Sequence, residues 1–595
     1  MRSFRSRAAA GLIATVALIA TGCSSSGSGG GTAPAQSQGT PHRGGTLVLL
    51  GQSDIFNLDP VSAYYTVSTL LERTFARQLF TYPAAPTFPE QIKLVPDVAT
   101  VVPTTANGGI SADGKTYTIH LRPGVDWNTS PARQVTAADF VRELRFLCNP
   151  QSPVGAPSYF TTTIVGMADY CAGFAKVKPT VAAVDHYATT APLPGASASG
   201  ALTLVLKLVA PAPDFLNIMA MGFASARPAE YLKYLPDSPQ LRANTISDGP
   251  YQITNYSAGK SFTLVRNPAW SSATDPWRKA YVNKITITEG LTADSVQQQI
   301  QAGTGDMEWD VQPPPQDLPA LTSAKDPRLI IGPQGNAFAG FNYITLNQYA
   351  GPFKNKLVRQ AVAYAINKNA IIQILGGPAL GTPASQLIIP GNVGYAPGFS
   401  PFSDGGGNGN PAKAKSLLGQ AGFHGGPTIK LLYSTTDPAP REAQAMQSSL
   451  QAAGFKVTLV PTTQSDFYGK YLEDPTTGKA DKWDIALPGW VPDWFGNDGR
   501  STVQPLLTSP GPGSNDFGGY NSPAVNADIA KALAASSQSE AAGWWAKADE
   551  LAMSDAAMVP VNDYKWPVFH SSRVHGCNFW VDDLNCDPTN VWLAG

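Results

Sequence analysis

Residue types that could support catalysis or hold a metal ion are scattered through this sequence rather than grouped. The six histidines include no two at the spacing by which one helix presents paired metal ligands. They are His42, His120, His186, His424, His570 and His575. The chain has no HExxH zinc motif, no Walker A loop and no dinucleotide-binding fingerprint after a strand, and no GxSxG nucleophile elbow outside a Gly/Ser linker. We therefore expect a protein that is not an enzyme and has no catalytic residue, metal ligand or cofactor.

Four of the five cysteines are spaced as two local pairs. Cys148 and Cys171 form one pair, and Cys577 and Cys586 form the other. Neither pair has the CxxC spacing of a zinc or redox site. An even number of cysteines in an exported protein favours disulfides, each of which contributes about 2–4 kcal/mol. Free buried thiols are the alternative.

The fifth cysteine, Cys23, follows a segment that is typical of export signals. Three arginines among the first seven residues precede an apolar stretch over residues 8–20. This stretch is shorter than the roughly 20 residues of a membrane-spanning helix. It ends in Ala-Thr-Gly-Cys, which resembles the lipobox of bacterial lipoproteins and implies a signal peptide over residues 1–22 and a lipid on Cys23. A plain secretory signal with an incidental cysteine is the alternative. Residues 23–43 begin with a Ser/Gly tract that predicts a flexible linker.

The rest of the chain has the composition of a large globular protein. The full sequence of 595 residues exceeds the roughly 250–300 over which a single core keeps growing, so two or three lobes are expected. Aromatic residues make up 10% of the chain and charged residues 14%. The net charge of −1, without any cluster of Lys and Arg, argues against a nucleic-acid partner.

Local patterns predict a mixture of strands and helices. Residues 116–122 alternate between apolar and polar side chains, as a half-buried strand does. Thr136 and Asp139 have the spacing of a capping box at the start of a helix. Apolar residues at four-residue steps from 356 to 375 share one helix face. A helix over 441–453 leads through Gly454 into a strand, which indicates the α/β class.

A series of short motifs follows one another from the linker almost to the end of the chain. They are Gly44-Gly45-Thr46-Leu47, Leu58-Asp59-Pro60, Val95-Pro96-Asp97-Val98-Ala99, Asp113-Gly114-Lys115-Thr116-Tyr117, residues 120–127 and 135–139, Asp248-Gly249-Pro250-Tyr251, Arg266-Asn267-Pro268, Phe341-Asn342, Val358-Arg359-Gln360-Ala361, Gly489-Trp490 and Tyr520-Asn521-Ser522-Pro523. In this order, the series resembles the family 5 extracellular solute-binding proteins, the dipeptide- and oligopeptide-binding lipoproteins of ABC importers. Most of these residues are expected to be structural.

The resemblance implies an α/β fold that forms a two-lobed, periplasmic-binding-protein-like clamp of type II with an extra inserted domain. Lobe I would be discontinuous, over residues 44–80, 213–310 and 506–595. The inserted domain would span residues 81–212, and lobe II residues 311–505. Linkers that cross between the lobes would act as the hinge on which they close over a ligand.

The resemblance also points to ligand-binding residues. In the peptide-binding members, an Asp shortly after a Gly-Trp strand end pairs with the ammonium of the peptide, because an unpaired buried charge is costly. The matching residue is Asp493, for which a turn or helix-cap role is the alternative. The other residues predicted to contact ligand are Trp490, Trp494, Tyr64, Tyr65 and Thr66. Core packing is the alternative for the two tryptophans.

We therefore predict a monomeric lipoprotein on the extracellular face of the cell membrane. It would bind a peptide and deliver it to the permease and ATPase of an ABC importer. The fold alone does not decide the cargo, so a metal chelate, haem or a sugar remains an alternative. A peptide-sensing surface lipoprotein and a hydrolase are the further alternatives.

Overall fold

Two β-sheets organise the part of the chain that the structure describes. The computed structural model describes residues 39–497, 499–508 and 515–594. The predicted signal peptide, the predicted lipidation site Cys23 and most of the predicted linker lie outside these residues. From Gly39 onward the chain forms one compact unit.

The first sheet starts with the strand that leaves the linker. Thr46–Leu50 buries Leu47 and Leu49 completely, while Val48 between them stays half-buried. Within the described residues, this sheet has five strands in the order Met307–Glu308, Thr46–Leu50, Lys284–Thr288, Ser261–Arg266 and Tyr251–Ser257. The first three run parallel, and the last two add on in antiparallel pairs. All five fall in the ranges predicted for lobe I.

The second sheet takes seven strands of the described chain. Their order is Gly381–Pro383, Met558–Tyr564, Gly340–Leu346, Ile485–Ala486, Thr428–Ser434 and Lys456–Thr462, with Gly489–Trp490 also paired to Gly340–Leu346. Met558–Tyr564 pairs inside this second sheet, although it lies within residues 506–595, which were predicted to belong to lobe I. Six of its seven residues are buried, which suits a strand covered on both faces but does not indicate which sheet it joins.

A third, three-stranded sheet lies in the predicted inserted domain. Thr116–His120 and Ala196–Ala198 flank Thr203–Lys207 in antiparallel register. The helix Ala137–Phe146 packs beside them and begins at the predicted capping box, where the Thr136 N–H donates to Asp139 Oδ2 at 2.9 Å. The apolar core extends past the predicted limits of residues 81–212, since Val61 and Phe223 belong to it.

The remaining elements are helices and short ladders. The α-helices of seven or more residues in the described chain are Thr66–Phe75, Ala137–Phe146, Met167–Phe174, Val181–Thr190, Ala293–Gln301, Leu318–Ala324, Lys356–Ala365, Lys368–Ile374, Pro411–Gln420, Ala439–Ala452, Gly499–Leu507, Pro523–Ala534 and Gln538–Ser554. The two-stranded ladders pair Phe80–Thr81 with Val95–Pro96, Asp126–Trp127 with Arg133–Gln134, Leu329–Gly332 with Trp566–Phe569, Val574–His575 with Trp592–Leu593, and Phe579–Trp580 with Asn585–Cys586. Across the described residues, no helix combines the length and the apolar character that crossing a membrane requires.

Both cysteine pairs are joined as the spacing predicted. Cys148 and Cys171 form one disulfide, and Cys577 and Cys586 form the other, each with Cα atoms 5.1 Å apart. The first disulfide lies within the inserted domain. The second closes the hairpin Phe579–Trp580/Asn585–Cys586.

The apolar repeat over residues 356–375 forms two helices, not one continuous helix. Lys356–Ala365 ends at Ile366, whose backbone is extended, and Lys368–Ile374 starts immediately afterwards. The cause is Asn367, whose side chain accepts a hydrogen bond of 2.9 Å from the Ala370 N–H. A side chain that caps a new helix favours a non-helical backbone at its own position, so the preceding helix ends there. The four-residue spacing of the apolar residues does not predict such a cap.

Replacing Asn367 with Ala should lower the free energy of unfolding by about 1 kcal/mol, because the cap of the second helix would be lost. Chemical denaturation of the purified protein measures this change. Thr180→Ala is the matched control, since Thr180 occupies the N-cap position of Val181–Thr190 without a side-chain cap hydrogen bond. Equal losses in the two variants would show that the Asn367 cap contributes nothing specific.

Two aspartates of the motif series are paired with buried arginines. Asp97 of the inserted domain accepts hydrogen bonds from Arg77 at 2.7 Å and from Arg278 at 2.8 Å, and all three side chains are fully buried. Asp59 binds both terminal nitrogens of the buried Arg227, at 2.7 and 3.0 Å. Buried charges need such partners. These motif residues therefore stabilise the fold and are not candidates for ligand contact.

Candidate functional site

A cavity of about 1010 Å³ lies where the two halves of the clamp meet. On the side of the first sheet, the cavity is lined by the start of the helix Thr66–Phe75 and by Asp582 and Asp583 of the disulfide-closed hairpin. The side of the second sheet contributes Leu431–Ser434 and the segment that follows Gly489–Trp490. This volume lies at the upper end of the range for small-molecule pockets.

Asp493 is held at the cavity wall by two tyrosines from other parts of the chain. The Tyr64 hydroxyl donates to Asp493 Oδ2 at 3.1 Å, and the hydroxyl of the fully buried Tyr159 donates to the same oxygen. No hydrogen bond reaches Oδ1 within the described residues. Asp493 thus joins three segments of the chain that lie far apart in the sequence, and keeps one carboxylate oxygen available to a ligand.

Burial in the cavity wall raises the pKa of Asp493 to about 7, although the hydrogen bonds from Tyr159 and Tyr64 lower it, and the nearby Asp582 adds to the rise. Burial, together with the charge of Asp493, raises the pKa of both phenols well above its usual value. The tyrosines therefore remain protonated donors. A cation that entered the cavity would favour the ionised form of Asp493.

A second tyrosine–carboxyl contact crosses the cavity beside the first. The Tyr65 hydroxyl donates to Glu473 Oε1 at 2.8 Å. The Tyr65 ring stacks on Phe56 with centroids 4.0 Å apart and meets Tyr468 edge-on at 6.3 Å. Carboxyl groups thus alternate with aromatic rings along this wall, an arrangement suited to organic cations.

Comparison with known proteins identifies the family. A family model described as "Bacterial extracellular solute-binding proteins, family 5 Middle" matches residues 93–513. The chain belongs to this family. Its relatives include the dipeptide-binding protein of Escherichia coli (strain K12), 27% identical over 395 residues, with 64% of this chain and 66% of the relative covered. The periplasmic oligopeptide-binding protein OppA of Salmonella typhimurium is 25% identical, with 87% of each chain covered.

Solved structures share the fold of this solute-binding protein. The clavulanic acid biosynthesis oligopeptide binding protein 2 superposes with a TM-score of 0.79 at 23% identity, covering 94% of this chain and 97% of the other. The Escherichia coli murein tripeptide binding protein MppA gives a TM-score of 0.74 at 21% identity, with 94% and 99% covered. The fold is the two-lobed type II clamp, as the sequence predicted.

Of the six residues predicted to contact ligand in this solute-binding protein, five line the cavity and one does not. Tyr64, Tyr65 and Thr66 line one wall, and Trp490 and Asp493 line the opposite wall. Trp490 is mostly buried, and its indole N–H donates to the Ser501 carbonyl at 3.1 Å. Trp494 is fully buried in the apolar core that also contains Val61 and Phe223, as the core-packing alternative expects. Its indole N–H is satisfied by the Asn497 carbonyl at 2.6 Å.

The cavity of the solute-binding protein is strongly acidic. Eight of its described lining residues carry a carboxyl group, namely Asp294, Asp310, Asp437, Glu442, Glu473, Asp493, Asp582 and Asp583. One described lining residue, Lys565, carries an ammonium group, which donates to the Gly335 carbonyl at 2.5 Å. Burial also raises the pKa of Glu442 and of Asp582 to about 7. The cavity therefore favours ligands that bring positive charge.

Sequence reasoning did not find Tyr159, Glu473 or the Asp582–Asp583 pair. Tyr159 lies 334 residues from its partner Asp493, and no local pattern marks it. Glu473 stands among other polar residues and is joined to Tyr65 across 408 positions. The adjacent aspartates, enclosed between Cys577 and Cys586, were a visible signal, because a short disulfide-closed loop is a rigid place for charge. Within the described residues, no group of three or more His, Cys, Asp or Glu is placed to hold a metal ion.

Proposed function

We propose that this solute-binding protein captures peptides between its two lobes and delivers them to the permease and ATPase of an ABC importer. It would do so without catalysis, as a monomer anchored through a lipid on Cys23 at the extracellular face of the cell membrane. Relatives named for dipeptide and oligopeptide binding support the peptide as cargo. A further relative is named heme-binding protein A, so membership of the family alone does not choose the ligand.

The main observation behind the proposal is the hydrogen bonding of the Asp493 carboxyl group. Its Oδ2 is occupied by two phenol donors, and its Oδ1 accepts no hydrogen bond from the described residues. The N-terminal ammonium of a peptide supplies the positive charge and the hydrogen-bond donors that this oxygen lacks. Charge-assisted hydrogen bonds of this kind are among the stronger contacts in proteins.

The test compares one peptide in two forms. Isothermal titration of the full-length protein with trialanine and with N-acetyl-trialanine should give binding of the free peptide and at least about tenfold weaker binding of the acetylated one. Acetylation removes the ammonium and leaves the peptide backbone intact. Equal affinities for the two peptides would show that the ammonium group contributes nothing to binding. If neither form binds while haemin, a sugar or a metal chelate does, the peptide proposal fails.

A further inference from the structure

The hairpin that carries Asp582 and Asp583 is built as a second acidic site in the cavity. Its strands pair Phe579 with Cys586 and Trp580 with Asn585, and the disulfide from Cys577 closes its base. The Asn585 amide donates to the carbonyls of Glu308 and Trp309, at 3.2 and 3.0 Å. The two carboxyl groups are thus presented to the cavity by a rigid element.

The two aspartates differ in their burial and in the hydrogen bonds that they accept. Asp583 is buried and accepts a hydrogen bond from the Thr69 hydroxyl. Asp582 lines the cavity half-buried and accepts no hydrogen bond from the described residues. Arg73, whose charge acts on both aspartates, is engaged elsewhere, since its guanidinium binds Asp587 at 2.9 Å and Thr81 at 2.8 Å. The hairpin therefore offers the cavity carboxyl groups without a dedicated cationic partner inside the protein. Burial raises the pKa of both, so a cation that entered the cavity would favour their ionised forms.

Glu72 provides an independent observation behind the same part of the wall. Its side chain is 1% exposed, and neither carboxyl oxygen has a hydrogen-bond partner. The carboxyl group lies directly behind Gly222, a lining residue, because a Cβ added at Gly222 would collide with Glu72 Oε2. Burial, with contributions from Glu143 and Asp583, raises its pKa well above the usual value. An orphaned carboxyl group therefore lies behind this wall, close enough to Asp583 for their charges to interact.

We infer that the Asp582–Asp583 hairpin is a second cation subsite, and that the preferred ligand is a peptide with a basic side chain near its N-terminal ammonium. This inference rests on the proposed function and specifies its substrate class. The two subsites line the same cavity and are neighbours, because Tyr64 binds Asp493 and Thr69, five positions along the chain, binds Asp583. A Lys or Arg side chain within the first residues would reach the hairpin while the N-terminus stays at Asp493. The guanidinium or ammonium group would also bring the donors that Asp582 lacks.

The test is a charge scan in one peptide background. Isothermal titration of the full-length protein compares trialanine variants that carry Lys, norleucine or Glu at each of the three positions. Norleucine keeps most of the lysine stem and removes the charge. At the best position, Lys should bind at least about tenfold more tightly than norleucine, and Glu should bind more weakly than either.

Variants of the hairpin assign the preference to its residues. Asp582→Asn, and the double variant Asp582→Asn/Asp583→Asn, should reduce the Lys/norleucine affinity ratio to about two or less, because the carboxyl groups that distinguish the two peptides are removed. The double variant Asp113→Asn/Asp169→Asn removes the same charge from exposed positions of the inserted domain and should keep the ratio. Thermal melting checks that each variant is folded, and Asp582→Asn alone avoids touching the buried Asp583.

The outcomes separate this inference from the proposed function. If peptides bind but Lys and norleucine variants bind equally, the second subsite is overturned and peptide capture stands. A Lys preference that survives Asp582→Asn and the double variant also overturns the assignment to the hairpin. If no peptide of any charge binds, the proposed function fails and the inference fails with it.

Discussion

Replacing Asp493 with Asn should weaken the binding of a free peptide by about 30-fold or more. The substitution keeps the size of the side chain and an acceptor for the two phenols, but removes the charge that would pair with the ammonium of the ligand. Loss of one partner of a buried, hydrogen-bonded charge pair costs about 2–5 kcal/mol, and 2 kcal/mol corresponds to about 30-fold. Isothermal titration with trialanine, or with the tightest peptide of the charge scan, measures the change.

The control for Asp493→Asn is Asp326→Asn, which removes one carboxylate outside the cavity from a half-exposed pair with Arg328. We expect that variant to bind within twofold of the wild type. Asp493→Asn should melt at or above the wild-type temperature at neutral pH, because the change removes a carboxyl group whose ionised form burial disfavours. Wild-type affinity in Asp493→Asn would show that the ammonium of the ligand is bound elsewhere.

Peptide affinity should fall as the pH decreases below about 7. The ammonium pairs with the ionised form of Asp493, and burial holds the pKa of the unliganded carboxyl at about 7. At lower pH the carboxyl is protonated, and the ligand must displace that proton. Each pH unit below 7 therefore costs about tenfold in affinity, or about 100-fold between pH 7.5 and pH 5. Affinity should decline again above pH 8, where the α-amino group of the peptide loses its proton, its own pKa being about 7.7–8.0.

Two variants assign this pH dependence to Asp493. Tyr159→Phe removes a hydrogen bond that lowers the pKa of Asp493, so the midpoint of the acid decline should move to higher pH. Asp493→Asn should reduce the slope of the decline by one proton, and any remaining slope reports Glu442 and Asp582, whose pKa values also lie at about 7. Affinity that is constant from pH 5 to 7.5 in the wild type would contradict the pairing of the ammonium with Asp493.

Local signals in the sequence predicted those parts of the fold that depend on local physics. Alternation over residues 116–122 became the strand Thr116–His120, and the capping-box spacing became the start of Ala137–Phe146. The break between the two helices at Asn367 was not predicted, because an apolar repeat shows which side of a helix is buried but not where the backbone leaves the helix. The ordered motif series identified the family and the two-lobed clamp, and through them Asp493 as the candidate ligand contact.

Motif order was enough to predict the family and the α/β class, and local patterns predicted individual elements such as Thr116–His120 and Ala137–Phe146, because these depend on neighbouring residues or on motif order. Tertiary structure alone decided that Met558–Tyr564 completes the second sheet, and that Trp494 is core while Trp490 lines the cavity. It also decided that Tyr159 binds Asp493 and that Asp582 lines the same cavity. These features depend on contacts between segments that are hundreds of positions apart in the sequence. The pattern of apolar residues within one segment does not show which distant segment will pack against it.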